Sequence, residues 1–306
     1  PARSMGSRPS VHLLGGRAIA IRNRRILAEL ADLERRDSGG SPESGRSHLS
    51  SEAALAMDPR ISVVIPVYNP GPWLRLCLDS VLQQSLIDFE VLVVDDGSDE
   101  DLGWVESLDP RIRVSHHLNK GVSVARNIGA ASARAPWLAF LDQDDTWAPE
   151  KLERQWASLT ESPSASFHYT GFTWVTDAGR TPATPVDITY HDLLADHHIC
   201  WSSVVVAADK YAAAGGHDPL LAQMQDWDLM LRLAALFGTP ARVDGNLVDY
   251  HVHADNASHD YTRAATERKS VLLRHSARAR AVGDERARTA VRSGLKRTDE
   301  LFAEKA

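Results

Sequence analysis

The sequence predicts an α/β chain: a doubly wound, mostly parallel sheet with helices on both faces, flanked by N- and C-terminal helical appendages. Three observations carry that expectation. ISVVIPVYN, FEVLVVDD and WLAFLDQDD are apolar runs rich in β-branched residues and uninterrupted on both faces, the pattern of buried parallel strands. Helix-period segments alternate with them. The connections are short, so successive strands pair through right-handed crossovers.

Residues 1–57 differ in character from the rest of the chain. A helical pattern from Arg17 to Arg36 gives way to RRDSGGSPESGRSHLSS, a Ser/Gly-rich linker by composition. The first strand begins at Ile61 and is followed by a helix over Trp73–Gln84, whose Leu74, Cys77, Leu78, Val81 and Leu82 form one stripe. The second strand, FEVLVVDD, leads to a short strand, IRVSHH, with a helix allowed between them. GVSVARNIGAASA is then a helix and WLAFLDQDD a strand. PEKLERQWASL makes another amphipathic helix, and ASFHYTGFTWVTDAGR a pair of strands around a turn at Asp177–Gly179. Asp187–Ser203 is expected to be irregular, SSVVVA a strand, QDWDLMLRLAALF a helix stopped by Gly238, and RVDGNLVDYHVHADNAS a last strand and loop. From Tyr261 on the chain is helical and Arg-rich. Its mixed charge reads as a solvated face, compatible with peripheral contact to a membrane surface. The domains are therefore 1–57, a core of 58–260, and a tail of 261–306.

Bulk numbers exclude several function classes. With 306 residues, 43% hydrophobic and 25% charged, the chain has the composition of a globular protein. Its net charge of −7 argues against a dedicated nucleic-acid binder, which needs a basic face to displace counterions. Two cysteines, Cys77 and Cys200, make no disulfide framework and have no metal spacing, which points to a reducing compartment. The sequence shows neither a transmembrane segment nor a signal peptide, so a cytoplasmic protein is expected.

The chemistry concentrates at strand ends. LAFLDQDDTW delivers Asp142, Asp144 and Asp145 at the end of an apolar run. Carboxylates this close raise one another's pKa, and they call for a hard divalent cation held together with a phosphate-bearing ligand. No G-x-G-x-x-G follows the first strand and no G-x-x-x-x-G-K-[ST] occurs, so a dinucleotide fold or P-loop is not expected. The ends of the second strand (Asp95, Asp96, Gly97, Ser98) and of the acidic strand would share the carboxyl edge of one sheet, where such folds bind ligands. There Asp96 can accept a nucleobase N–H, Gly97 permits close backbone approach, and Tyr68 offers a flat ring for stacking.

Taken in order, ISVVIPVYN, VLVVDDGSDE, NKGVSVARNIGAASA, WLAFLDQDD and QDWDLMLRLA resemble the motifs of a family 2 glycosyltransferase of the GT-A fold, over Ile61–Ser258. The resemblance implies a donor-nucleotide half over 58–147 and an acceptor half over 148–260. It implies that Pro66, Tyr68 and Asp96 line the base of a nucleoside-diphosphate sugar, a UDP-sugar above all. Arg126 would sit near the donor phosphates or brace the carboxylates. The acidic cluster is similar to the family's DxD element, which touches the ribose and chelates Mn²⁺ or Mg²⁺. Two registers are open: Asp142 with Asp144 as the DxD proper, or Asp144–Asp145, so the metal ligand is Asp144, Asp145 or both. His253 resembles a late histidine that completes the coordination. Asp226 is the expected general base of an inverting transfer to an acceptor hydroxyl on a glycan, a lipid-linked glycan or a small molecule, with Trp227 flanking the acceptor. Gln225 departs from the family's usual Glu and alters the local electrostatics. Two other readings compete. LAFLDQDDT also satisfies the D-x-D-x-T pattern of haloacid-dehalogenase-like phosphohydrolases, with Asp142 as nucleophile and Asp144 as acid/base, although there the motif opens the domain. The other is a glycosyltransferase-like module that binds nucleotide without turnover.

Overall fold

The computed structural model describes residues 58–196, 199–253 and 260–303; the helix expected over Arg17–Arg36 and its linker lie outside the described residues. The elements in chain order are β1 (Ile61–Val67), α1 (Trp73–Leu82), β2 (Phe89–Asp95), β3 (Ile112–His116), α2 (Val122–Ser132), β4 (Trp137–Phe140), β5 (Thr146–Trp147), α3 (Lys151–Glu161) and β6 (His168–Thr176). They continue with β7 (Gly179–Ala183), α4 (Tyr190–Ala195), a 3₁₀ turn (Trp201–Ser203), β8 (Val205–Ala207), α5 (Ala208–Ala214), α6 (Gln225–Phe237), β9 (Ala241–His251), α7 (Tyr261–Val282) and α8 (Glu285–Phe302).

One sheet runs through the domain in the order β3-β2-β1-β4-β8-β6-β9-β5, with β7 beside β6. Its first half is parallel: Ile61 pairs with Phe89 and with Trp137, and Val91 with Ile112. Every residue of β1 and β2 is buried, as expected for strands covered on both faces. On β1, Val64 joins one apolar cluster with Leu138, Phe140 and Leu229, while Ile61, Val63, Ile65 and Val67 join the other with Leu74, Leu78 and Val81. The strand's two-residue period thus feeds two layers. Pairing with β4 ends at Val64↔Phe140, so Pro66 lies where a missing N–H leaves no ladder bond unmade.

Beyond β4 the sheet turns mixed. β8 runs antiparallel to β4 (Leu138↔Val206), β6 is antiparallel to β8, and β9 is parallel to β6 but antiparallel to β5. SSVVVA fits a strand of either direction, because an apolar pattern sets burial and not polarity. Residues 96–111, where the sequence allows a helix, form turns with Leu102 and Val105 packed inward. The segment expected to be irregular contains α4, whose Thr189 and Asp192 make a reciprocal capping box. α5, which the sequence pattern does not announce, ends at Gly215 in the left-handed region (φ 93°).

The C-terminal helices have more than a solvated face. Val271, Leu272, Ala279, Ala287 and Val291 enter the main core. Gly294 of α8 lies so close to α4 that a Cβ there would sit 2.2 Å from the Leu194 carbonyl oxygen. The hairpin therefore buttresses α4 and α6 from outside, which fixes the loop leading to Asp226.

Candidate active site

The carboxyl ends of β1, β2 and β4 meet at one edge of the sheet. Tyr68, just past β1, is 48% exposed. Its backbone N–H donates to Gln143 Oε1 (2.8 Å) and its carbonyl accepts from Gln143 Nε2 (3.1 Å), which ties the β4 end to the β1 end. Asn69, at positive φ (43°), donates its N–H to Ser98 Oγ and accepts the Asp99 N–H, closing the cleft floor between β1 and β2. Asp96 is buried and accepts the N–H groups of Lys120 (2.8 Å) and Gly121 (2.7 Å) at the start of α2. Burial pushes its carboxyl above the ordinary value even against those two bonds. Each oxygen keeps a second lone pair for a ligand N–H. Gly97 adopts φ 85°, and a Cβ there would meet Asn119 N at 3.0 Å, so its freedom serves the 117–119 loop that shapes this edge.

Arg126 joins the end of β4 to the start of α6. It lies buried on α2, with Nη2 2.5 Å from Asp142 Oδ1 and Nη1 2.6 Å from Asp226 Oδ1. Burial alone would lower its pKa, but the Asp142 and Asp226 carboxylates outweigh it and raise it. Burial raises the pKa of Asp142. Gly129, one turn on, lets α2 lie directly on β1: a Cβ would come within 2.4 Å of Val64 Cγ1. That contact sets the depth of the helix and so the reach of Arg126.

Asp226 is the second residue of α6 and also contacts His217 Nε2 (3.0 Å). The loop before it is held by Glu267 of α7, whose carboxylate accepts the N–H groups of Ala222, Gln223 and Met224. Burial opposes its charge, yet those bonds and Arg263 hold the Glu267 carboxyl below the ordinary value. Asp228, a half-turn further, faces inward and pairs with Arg232 and Arg274. Trp227, expected beside the acceptor, is only 1% exposed; its indole N–H donates to the Leu193 carbonyl and the Arg268 guanidinium lies 4.3 Å over its ring. Adjacent helix positions point about 100° apart, so with Asp226 in the site Trp227 packs between α4 and α7.

The structure separates the two candidate metal carboxylates. Asp144 Oδ2 lies 3.0 Å from His253 Nε2, each side chain about a fifth exposed (19% and 20%). The His253 ring stacks on Trp73, centroids 5.1 Å apart, and the His251 Nδ1–H donates to the Asp144 carbonyl (2.8 Å). Asp145 is 1% exposed and accepts Ser202 Oγ–H (2.5 Å) and the His251 N–H (3.2 Å). Burial, then Asp142 and Asp144, pushes its carboxyl well up. Among the described residues no three His, Cys, Asp or Glu side chains form a ready-made metal site. The Asp144 oxygen and His253 nitrogen are donors of the kind a divalent ion such as Mn²⁺ accepts, and they could supply two of its ligands.

Pro66, Tyr68, Asp96, Gly97, Arg126, Asp142, Asp144, Asp226 and His253 thus surround one sheet edge, while Asp145 and Trp227 are enclosed. Gln143, Trp73, Ser202, His217 and Glu267 belong to the same constellation, and sequence reasoning does not single them out. Only Gln143, inside the DQDD run, carries a local signal.

Residues 62–188 match the family model described as Glycosyl transferase family 2. The chain is 30% identical over 216 residues to an uncharacterized glycosyltransferase of Haemophilus influenzae, covering 66% of this chain and 72% of that protein. It is 31% identical over 217 residues (68% of this chain, 84% of that protein) to TuaG of Bacillus subtilis, a glycosyltransferase provisionally assigned to teichuronic acid biosynthesis. Other relatives are longer: the chain spans 21% of a matched glycosyltransferase of Rickettsia felis. Its fold is similar to that of S. aureus TarS 1–349 in complex with UDP-GlcNAc, with a TM-score of 0.66 at 16% identity, covering 81% of this chain and 76% of that one. The same TarS fragment is solved with UDP.

Proposed function

The chain belongs to glycosyl transferase family 2, and on that premise we propose that it transfers a sugar, with inversion, from a UDP-sugar to an acceptor hydroxyl in a metal-dependent reaction. The observation that carries the reading is the buried Arg126 bridge between Asp142 and Asp226, beside the Asp144–His253 pair. On this reading Asp226 is the proton acceptor, and Asp144 with His253 would take the cation. TarS structures with UDP and UDP-GlcNAc support a uridine donor.

In this mechanism Tyr68 stacks on the base, Asp96 accepts its N–H, and Pro66 and Gly97 shape the wall. Asp144 and His253 hold Mn²⁺ or Mg²⁺, which when bound offsets the charge of the leaving diphosphate. Asp145 supports that pair from inside through Ser202 and His251. Asp226 takes the proton from the acceptor oxygen as that oxygen bonds to the anomeric carbon and the bond to the diphosphate breaks. Arg126 keeps Asp226 oriented, and Asp142 lies toward the ribose. The acceptor is a glycan, a lipid-linked glycan or a small molecule; among the described residues no helix is long and apolar enough to cross a membrane. A cytoplasmic setting is part of the proposal and rests on Cys77 and Cys200, both buried and unpaired. Family membership sets the phosphohydrolase reading aside, as does the tie of Asp142 to Arg126 just past a strand that three others precede.

The test compares wild type with Asp226→Asn for donor binding by calorimetry and for transfer. The variant is expected to bind donor normally and to lose transfer about 10²-fold or more. Near-normal turnover removes Asp226 as base. Metal-dependent nucleotide binding by a wild type that turns over no donor would leave the binding-module reading.

A further inference from the structure

His217, which lies outside the quoted motifs, stands behind Asp226 in a closed hydrogen-bond frame. The Asn127 amide is oriented by two backbone bonds to His217 itself: its Nδ2 donates to the His217 carbonyl (2.9 Å), and its Oδ1 accepts the His217 N–H (2.9 Å). Oδ1 is therefore an acceptor, and the Tyr211 hydroxyl 2.6 Å away must donate to it. A tyrosine has one hydroxyl proton. With that proton committed to Asn127, the contact between the Tyr211 oxygen and His217 Nδ1 (2.7 Å) requires the proton on Nδ1. A ring whose only proton is on Nδ1 presents a bare Nε2 to Asp226 Oδ1, 3.0 Å away. Burial favours that neutral ring, pushing His217 down to about 4, with Arg126 and Arg232 acting in the same sense and Asp226 against them. Phe140 and Trp201 wall the imidazole edge-on.

We propose that His217 is the positioning residue of the general base: its lone pair on Nε2 receives the hydrogen bond of the proton that Asp226 takes from the acceptor hydroxyl. This rests on the reading of Asp226 as base. With Asp226 ionised, two acceptors face each other, and the Arg126 guanidinium holds the carboxylate in place. Once the acceptor proton arrives on Oδ1, the repulsion becomes an O–H···N bond. The proton's origin is the acceptor O–H, the electron pair left there forms the bond to the anomeric carbon, and the diphosphate leaves with the old bonding pair. The arrangement makes Asp226 a stronger base than a carboxylate paired with Arg126 alone, and Asn127 and Tyr211 set it through the tautomer.

Two measurements test this. Nitrogen-15 NMR of the wild-type imidazole is expected to show Nδ1 protonated and Nε2 bare; a proton on Nε2, whether or not Nδ1 also carries one, overturns the proposal without any variant. In kinetics, His217→Phe removes the lone pair and Tyr211→Phe releases the tautomer, so that an Nε2–H can donate to the carboxylate. Both variants are expected to move the acid limb of the kcat/KM profile about one pH unit lower and to reduce kcat about tenfold, with donor KM unchanged. A merely structural role would leave the limb in place. If His217→Phe does not fold, Tyr211→Phe, which loses a single oxygen, decides. An unmoved limb in a folded variant overturns the role of His217 while the Asp226→Asn result stands. Full transfer by Asp226→Asn instead removes the base itself.

Discussion

Replacing Arg126 with methionine keeps an unbranched stem but removes the guanidinium and its charge, which leaves Asp142 and Asp226 facing each other without a cation. Breaking a buried ion pair by deleting one partner costs about 3–5 kcal/mol. The Asp142 and Asp226 side chains retain 28% and 20% exposure, so water screens part of the uncompensated charge and the lower end, about 3 kcal/mol, applies. At about 2–4 °C per kcal/mol for a domain of this size, the melting temperature falls by about 6–12 °C. The loss depends on pH in a defined direction. Burial already raises the Asp142 pKa in the folded chain, and a carboxyl raised on folding costs stability as the pH climbs through its folded pKa and returns it as the pH falls. Without Arg126 the rise is larger, so the gap to wild type is widest at pH 8 and narrows toward pH 5. Melting curves of both proteins across that range are the assay. A variant that melts within a degree of wild type at pH 8, or a gap that widens in acid, would show that Arg126 does not neutralise this pair.

The acidic cluster makes a paired prediction. Asp144→Ala is expected to abolish Mn²⁺-stimulated nucleotide binding with little change in melting temperature, whereas Asp145→Ala, which strips partners from Ser202 and the His251 N–H, lowers stability by about 1–3 kcal/mol; the reverse pattern in calorimetry and melting would assign the ligand to Asp145. Glu267→Ala leaves three backbone N–H groups of the 222–224 loop without their acceptor. It should cost about 2–4 kcal/mol and raise the acceptor KM while donor affinity holds, and equal losses for both substrates would show that Glu267 does not act through that loop.

The sheet edge that carries the candidate site is legible in sequence because its signals are local. Continuous apolar runs in β1, β2 and β4 announce burial on both faces, and a carboxylate at the end of such a run has one place to go. Tertiary contact decides the rest. The antiparallel entry of β8 leaves no mark in SSVVVA, and Asp144 and Asp145 look alike until the positions of Ser202 and His251 distinguish them. Trp227 shares its tetrapeptide with Asp226 yet packs inward, because the Arg268 and Leu193 that claim it lie far along the chain. Glu267 and His217 act through partners 45 and 9 residues away, separations that no helix or strand period encodes.

A nucleoside-diphosphate site completed by a divalent cation is best probed by melting the protein with UDP and other nucleoside diphosphates, each with and without Mn²⁺. Saturating UDP at about 100 times its Kd should stabilise the folded chain by about 2.7 kcal/mol, a rise of several degrees. That rise is expected for UDP with Mn²⁺, a smaller one for UDP alone, and none in Asp144→Ala beyond the metal-free response. No rise with any nucleotide in the presence of Mn²⁺ would mean that the sheet edge is not a donor site.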